Sequence, residues 1–302
     1  MLARPETTAA LRPERLRGYH GLFTNTDRWD SFKARTDDIF VCTPPKSGTT
    51  WTQAICAFLI LGANELYGRL ADISPWLDSE LESLDACLET LGTQNHRRFI
   101  KSHTPLDGIP FFEQSTYLVV YRHPVDVFFS WRNQGMNMIN QPDIPQLDPD
   151  PKVGFAAWVD EPFTPGYGES RTLEAYVYHY YSFHAYRHLA QFSFYHFSDM
   201  KRDLGAVVQR IAGTLGIAVT DQRVTEICQL VSFSSMKNKA STFSPGAGKS
   251  VLKSDGDFFR SGSNNQGAEI LSPPDLQRYE SKMAQLLSPA EIGWLENGGD
   301  LP

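Results

Sequence analysis

Three observations predict an α/β fold, a central parallel sheet flanked by helices. Short apolar runs alternate with amphipathic stretches of helical spacing, which favours parallel strands joined by right-handed crossovers. The runs at 38–43, 98–102, 117–121 and 192–197 read as strands, and the first three end in unusual polar residues. No internal repeat interrupts the order. In an open sheet of this kind the carboxyl ends of the strands share one edge, where ligands bind, so residues distant in sequence should meet there. With 302 residues, 41% of them hydrophobic, the chain can bury a large core, and a single domain over 1–302 is expected.

The first strand breaks into Thr43-Pro44-Pro45-Lys46-Ser47-Gly48-Thr49-Thr50-Trp51. Two prolines stop ladder pairing, and Gly48 permits a backbone conformation closed to other residues. The threonines then place hydroxyls beside unsatisfied helix N–H groups. Trp51, Ile55, Phe58 and Leu59 recur at helical spacing until Gly62 can end a helix near 50–62. Strand, loop and helix N-terminus together make an anion cradle. Because Lys46 precedes the loop's only glycine, the pattern is a variant of the common phosphate loop, in which the lysine follows a second glycine. A proline-rich surface turn is the plain alternative.

A helix near 78–92 leads to the second strand, where Arg98-Phe99-Ile100-Lys101-Ser102-His103 sets Lys101 and His103 two apart, on the same side. Of eight histidines, His103 stands out because it closes a strand on the expected ligand edge. The third strand, Tyr117 to Tyr121, runs into Arg122-His123-Pro124, and Pro124 suits the first turn of a helix near 124–134. A phosphotransferase would commonly end this strand in an Asp for Mg²⁺, whereas Arg122 suits a second anionic group. Further helices are expected near 170–190, 203–216 and 221–231. Residues 137–170, rich in Pro, Asp and Gly, and 237–267, rich in Ser, Gly, Lys and Asn, resist assignment and read as flexible insertions. The aromatic stripe Tyr176 to His184 reads as core, or as the wall of an apolar pocket.

A formal charge of −7 argues against a general nucleic-acid binder, which needs a broad basic surface. A small anionic ligand needs only local convergence of Lys, Arg and helix N-termini. Cys42, Cys56, Cys87 and Cys228 lack zinc-ligand spacing and any secretory context, so reduced thiols and no metal centre are expected. The longest apolar run, near Ala54 to Leu61, is far too short for a bilayer span, and a cytoplasmic protein without stable membrane insertion follows.

Pro45-Lys46-Ser47-Gly48-Thr49-Thr50-Trp51 resembles the 5′-phosphosulfate loop of the cytosolic sulfotransferase family, which uses 3′-phosphoadenosine-5′-phosphosulfate. Arg122 and Ser130 match its Arg-x7-Ser 3′-phosphate motif. Tyr195 to Lys201 resembles its Phe-Tyr-Glu-Asp-Met-Lys segment, with Phe197 where a tyrosine is expected at the adenine. Val231-Ser232-Phe233-Ser234-Ser235-Met236-Lys237 is similar to the adenine-pocket element Thr-Ser-Phe-x-x-Met-Lys. Phe258-Phe259-Arg260-Ser261-Gly262 resembles the Arg-Lys-Gly loop over the 3′-phosphate, with Ser261 in place of Lys and the following Gly-Asp-Trp missing. Ser74-Pro75-Trp76-Leu77-Asp78 and His96 to Lys101 are closer to bacterial members, some of which act on lipid-like acceptors.

The resemblance implies a three-layer, P-loop NTPase-like domain that sulfates a hydroxyl of a small-molecule or lipid-like acceptor without a metal, releasing adenosine 3′,5′-bisphosphate. It further implies His103 as general base, Lys46 at the bridging oxygen, Lys101 on the transferred group and Ser130 holding Lys46 until substrate binds. Ser47, Gly48, Thr49 and Thr50 would hold the 5′-phosphate, and Arg122, Ser130, Arg260, Ser261 and Gly262 the 3′-phosphate. Trp51, Phe197, Ser232, Phe233 and Met236 would line the adenine pocket, Trp51 and Phe233 sandwiching the base. A P-loop kinase using ATP and Mg²⁺ and a non-catalytic nucleotide-binding protein are the alternatives. Gly248-Lys249-Ser250 imitates the end of a phosphate loop, but no strand precedes it, and it reads as loop.

Overall fold

The computed structural model describes residues 12–245, 251–254, 256–259, 262 and 264–302. Four strands, β1 (Ile39–Cys42), β2 (Phe99–Ser102), β3 (Thr116–Tyr121) and β4 (Phe192–His196), form one parallel sheet in the order β2-β1-β3-β4. Cys42 stands opposite Ser102 on one side and Val119 on the other, and Tyr121 opposite His196. The strand ends are thereby aligned, and Lys46, His103 and Arg122 are brought to one edge.

Side-chain alternation along the strands feeds two separate cores. Phe40, Ile100, Tyr117, Val119 and Tyr121 enter one; Ile39, Phe99, Leu118, Val120 and Tyr195 enter the other. The first core is covered by α4 (Pro124–Met136), α5 (Pro151–Asp160), α6 (Leu173–His184), α12 (Pro273–Leu286) and α13 (Pro289–Asn297). The second is covered by α1 (Thr49–Leu61), α2 (Leu70–Ile73), α8 (Leu204–Thr214) and α9 (Asp221–Leu230), with α7 (Phe197–Arg202), α10 (Phe233–Asn238) and α11 (Ala240–Phe243) alongside. The remaining helix, α3 (Leu84–Thr93), puts Cys87 and Leu91 into the first core. Among the described residues no helix is long and apolar enough to cross a membrane.

The strand assignments agree with the structure to within about a residue at each end, and the helix assignments differ in instructive places. The helix expected from 78 begins only at Leu84, where Ser83 caps it through Ala86 N; the residues before it form turns, with Ser79 bridged to Thr24. The helix expected over 170–190 is Leu173–His184, capped by Thr172. Within 137–170 the structure has α5, which the density of Pro and Asp concealed. Asp150 and Pro151 are its cap and first residue, and Phe155, Trp158 and Val159 are its buried face. The stretch 237–267 holds the end of α10, all of α11 and a 3₁₀ turn at Gly256–Phe258. These two long segments also meet each other. Ile139 N donates to Val251 O at 3.0 Å, Lys253 N to Asn137 O at 2.8 Å, and Asn137 Nδ2 to Ser254 O at 2.8 Å.

Candidate active site

The loop after β1 is built around two left-handed residues. Gly48 has φ 110°, a conformation that favours glycine, and a Cβ there would sit tightly at 3.3 Å from Phe197 Cδ2. Lys46, with φ 70°, adopts a region that costs a non-glycine residue on the order of 1 kcal/mol. Ser47 is completely buried, and its Oγ has no hydrogen-bond partner among the described residues. Gly48 is also the N-cap of α1, so no cap side chain accepts from the first-turn N–H groups of that helix. Thr49 turns its hydroxyl inward to Thr43 Oγ1, at 2.6 Å, while Thr50 lines the cavity above the loop.

Three cations converge on that cavity. Lys46 Nζ donates to Gln134 Oε1 at 2.8 Å and lies 3.9 Å from the centre of the Phe258 ring. The resemblance assigned the contact with Lys46 to Ser130. Ser130 lines the same cavity one helical turn earlier, and the longer side chain of Gln134 is the one that reaches the ammonium. Burial, with repulsion from Arg122 and Lys101, lowers the Lys46 pKa to about 7. Arg122 is buried, with its guanidinium 4.3 Å over the Phe197 ring and Nη1 3.4 Å from Lys46 O. Tyr176 Oη donates to Arg122 O at 2.6 Å and fixes the backbone at the end of β3. Lys101 is buried with Nζ 4.7 Å over the Trp76 ring.

His103 follows β2 directly and is held by Thr43, the residue after β1. Its Nδ1 donates to Thr43 O at 2.8 Å, and Thr43 Oγ1 stands 3.3 Å from the same nitrogen. With Nδ1 carrying the proton, Nε2 keeps its lone pair. Burial and the Lys101 charge push the pKa well below the usual imidazole range, so the ring is neutral at physiological pH. Trp76 packs edge-on against it, with centroids 4.8 Å apart at 80°.

The cavity measures about 760 Å³. At one end Trp51, Phe197, Phe233, Met236 and Gly262 form an aromatic recess. Trp51 meets Phe197 edge-on at 5.4 Å and Phe233 meets Phe259 at 6.3 Å, so the two rings proposed to sandwich the base are each steadied by a neighbour. Ser232 caps α10 by accepting from Ser235 N. At the other end the wall is largely apolar, with Phe23, Leu81, Ile144 and Trp131 interspersed with Glu82 and Arg171. Leu22 and Tyr167 line this end while 71% and 48% exposed, which gives it an apolar rim. Arg260, Ser261 and the Gly248-Lys249-Ser250 segment lie outside the described residues.

Residues 36–288 match the family described as "Sulfotransferase domain". A glycolipid sulfotransferase of Mycobacterium bovis is 31% identical over 93% of this chain and 94% of its own length. One from Mycobacterium tuberculosis is 30% identical over 93% and 94%. Cytosolic sulfotransferase 1 of Danio rerio is 29% identical over 72% of this chain and 74% of its own. Among solved structures, a mouse sulfotransferase complexed with PAP shares the fold with a TM-score of 0.70 at 20% identity, covering 89% of this chain and 91% of that one.

Thr43, Trp76, Gln134 and Arg171 are the parts of this site that sequence reasoning missed. Gln134 carried one readable signal, its position four residues after Ser130 on the same helical face; the others become visible only once distant segments are folded together. The matched stretch contains all four strands, the loop after β1 and every cation of the cavity, and the chain belongs to the sulfotransferase domain family.

Proposed function

We propose that this protein transfers the sulfuryl group of 3′-phosphoadenosine-5′-phosphosulfate to a hydroxyl of a lipid-like acceptor, with His103 as general base. The observation that carries this reading is the convergence of Lys46, Lys101, His103 and Arg122, which follow or belong to three different strands, on one cavity above a glycine-built loop. The residues fit the nucleotide. A buried Ser47 hydroxyl without a partner, uncapped N–H groups and three cations suit its anionic groups, and an aromatic recess suits its base. When bound, the nucleotide supplies an activated sulfuryl group on a phosphate leaving group.

In this reading Ser47, Gly48, Thr49 and Thr50 hold the 5′-phosphate with backbone N–H groups and hydroxyls. Arg122 and Ser130 hold the 3′-phosphate together with the segment of Arg260, Ser261 and Gly262. Trp51, Phe197, Phe233 and Met236 flank the adenine, and Ser232 stands at the head of α10 beside it. His103 Nε2 takes the proton of the acceptor hydroxyl as its oxygen forms the new bond. Lys46 offers its ammonium to the negative charge that grows on the bridging oxygen, and Lys101 steadies the group in transit. The apolar rim and the glycolipid sulfotransferase relatives support a lipid-like acceptor. The same reading takes 1–302 as one domain and places the protein in the cytoplasm.

The test is a phosphosulfate-dependent transfer screen over glycolipids, sterols, phenols and sugars, read by mass spectrometry, with a parallel arm offering ATP and Mg²⁺. Sulfated product is expected, chiefly from amphipathic acceptors. Phosphorylated product from the ATP arm alone would overturn the proposal. So would tight binding of adenosine 3′,5′-bisphosphate with no transfer to any acceptor class.

A further inference from the structure

We propose that Asp78 is a positioning residue for this reaction: its carboxyl grips the residues on either side of His103 and so sets where the imidazole stands. The inference rests on His103 being the general base.

Strand alternation divides the end of β2 in two. Lys101 and His103 line the cavity, while Ser102 and Thr104 turn to the opposite side and meet Asp78. Ser102 Oγ donates to Asp78 Oδ2 at 2.6 Å and Thr104 Oγ1 donates to the same oxygen at 2.8 Å. Thr104 N donates to Ser102 Oγ at 3.1 Å, which closes a ring of hydrogen bonds directly behind His103. Trp29 Nε1 adds a third donor to Oδ2 at 3.3 Å. Asn25 N donates to Asp78 O at 3.0 Å and fixes the aspartate itself.

The same short segment also holds the cavity side. Trp76, two residues before Asp78, packs edge-on against His103 and lies under Lys101, and Lys101 N donates to Pro75 O at 3.2 Å. Residues 75–78 thus grip the end of β2 from both sides, with Leu77 buried in the core between them. Asp78 reaches the base only through the residues on either side of it. It is completely buried and no cation pairs with it among the described residues; burial raises its pKa, and the donated hydrogen bonds oppose that rise. Oδ2 takes all three side-chain donors, while Oδ1 has no hydrogen-bond partner among the described residues. An amide can present the same accepting oxygen.

The experiment compares Asp78→Ala and Asp78→Asn with the full-length parent. For Asp78→Ala, kcat should fall about 10–100-fold, because a small displacement of a reacting group is costly. Binding of adenosine 3′,5′-bisphosphate should be little changed. The acidic limb of kcat should move to higher pH, since a loosened His103 regains solvent. Lys101, Arg171 and His179, the charged and titratable groups facing His103, remain in place. Asp78→Asn should stay within about threefold of the parent, because its carbonyl can accept the same donors.

An Asp78→Ala protein that is merely less heat-stable, with kcat and acidic limb unmoved, overturns the proposal. If that variant does not fold, Ser102→Ala with Thr104→Val removes the same two bonds from the other side, and full activity in that pair overturns it equally. His103→Ala separates the two readings. Normal turnover there removes the base and this proposal with it, whereas an inactive His103→Ala beside an unaffected Asp78→Ala removes the positioning role alone.

Discussion

Lys46 carries two unfavourable features at once, a left-handed backbone and a buried ammonium with its pKa lowered to about 7 by desolvation, Arg122 and Lys101. An anion bound beside it reverses the electrostatic part and favours the protonated form. Below pH 7 the amine is already protonated and binding takes up no proton there; above it, binding must protonate the amine, so affinity for adenosine 3′,5′-bisphosphate should decline as pH rises from 7. Calorimetry in two buffers of different ionisation enthalpy should register proton uptake at pH 8 in the parent and none in Lys46→Ala; equal heats in both buffers for the parent would refute the coupling. The two basic side chains should also separate in kinetics. Lys46→Ala should lower turnover more than bisphosphate affinity, and Arg122→Ala the reverse, because in the proposed mechanism one meets charge that grows in the transition state and the other a phosphate present throughout. His103 is the third such case. His103→Ala should cost on the order of 10²–10⁴ in rate while bisphosphate binding survives. In the parent, turnover should stay flat down through pH 6.5 and decline only below it, because burial and Lys101 keep the ring neutral there. A limb at or above 6.5 would count against the desolvated base.

The pairing of β1 with β2 depends on one buried ion pair at their amino ends. Arg98 Nε donates to Asp38 Oδ1 at 2.7 Å, Nη2 lies 2.5 Å from Oδ2, and the two side chains are 5% and 0% exposed. Arg98 also donates to Lys33 O at 2.9 Å and stacks over Phe32. Removing one partner strands the other, so Arg98→Ala should cost about 3–5 kcal/mol in urea unfolding; a loss below 1 kcal/mol would mean that water replaces the guanidinium. Nothing in the sequence singled out this pair, since Asp38 and Arg98 read there only as the first residues of two strands. The strands were legible because each is a short apolar run, and the first three end in a conspicuous polar residue. The helix α5 was not, although Asp150-Pro151 ahead of Phe155, Trp158 and Val159 is a cap followed by a helical face. The two C-terminal helices were also missed, despite Ser272 with Asp275 and Ser288 with Glu291, both capping boxes with proline at the first turn. Motif residues were legible in the site because chemistry restricts them to few types. Packing partners such as Trp76 were not, because many side chains can fill a wall.

Across the molecule, the two long segments between regular elements are tied to one another by the pairing of 137–139 with 251–253, and both border the cavity. Donor and acceptor ends of the site should therefore respond together. Adenosine 3′,5′-bisphosphate alone should raise amide exchange protection in 44–51 and 233–259 and carry it across to 137–139. Protection confined to 44–51 would show that the paired segments take no part in nucleotide binding.

The strand order has a consequence for how the chain is made. The central strand β1 is translated first, yet its partners are Phe99 to Ser102 on one side and Thr116 to Val119 on the other. At ~5–20 residues per second, a ribosome leaves β1 without its second neighbour for roughly ten seconds, a long interval beside hydrophobic collapse. Until Phe99 to Ser102 emerge, Ile39-Phe40-Val41-Cys42 offers two open edges of apolar backbone to any other nascent chain, and after that one. Slower synthesis prolongs that exposure but cooling also weakens hydrophobic association, so the yield of native protein should depend on temperature and chaperone supply during expression far more than the stability of the finished sheet would suggest.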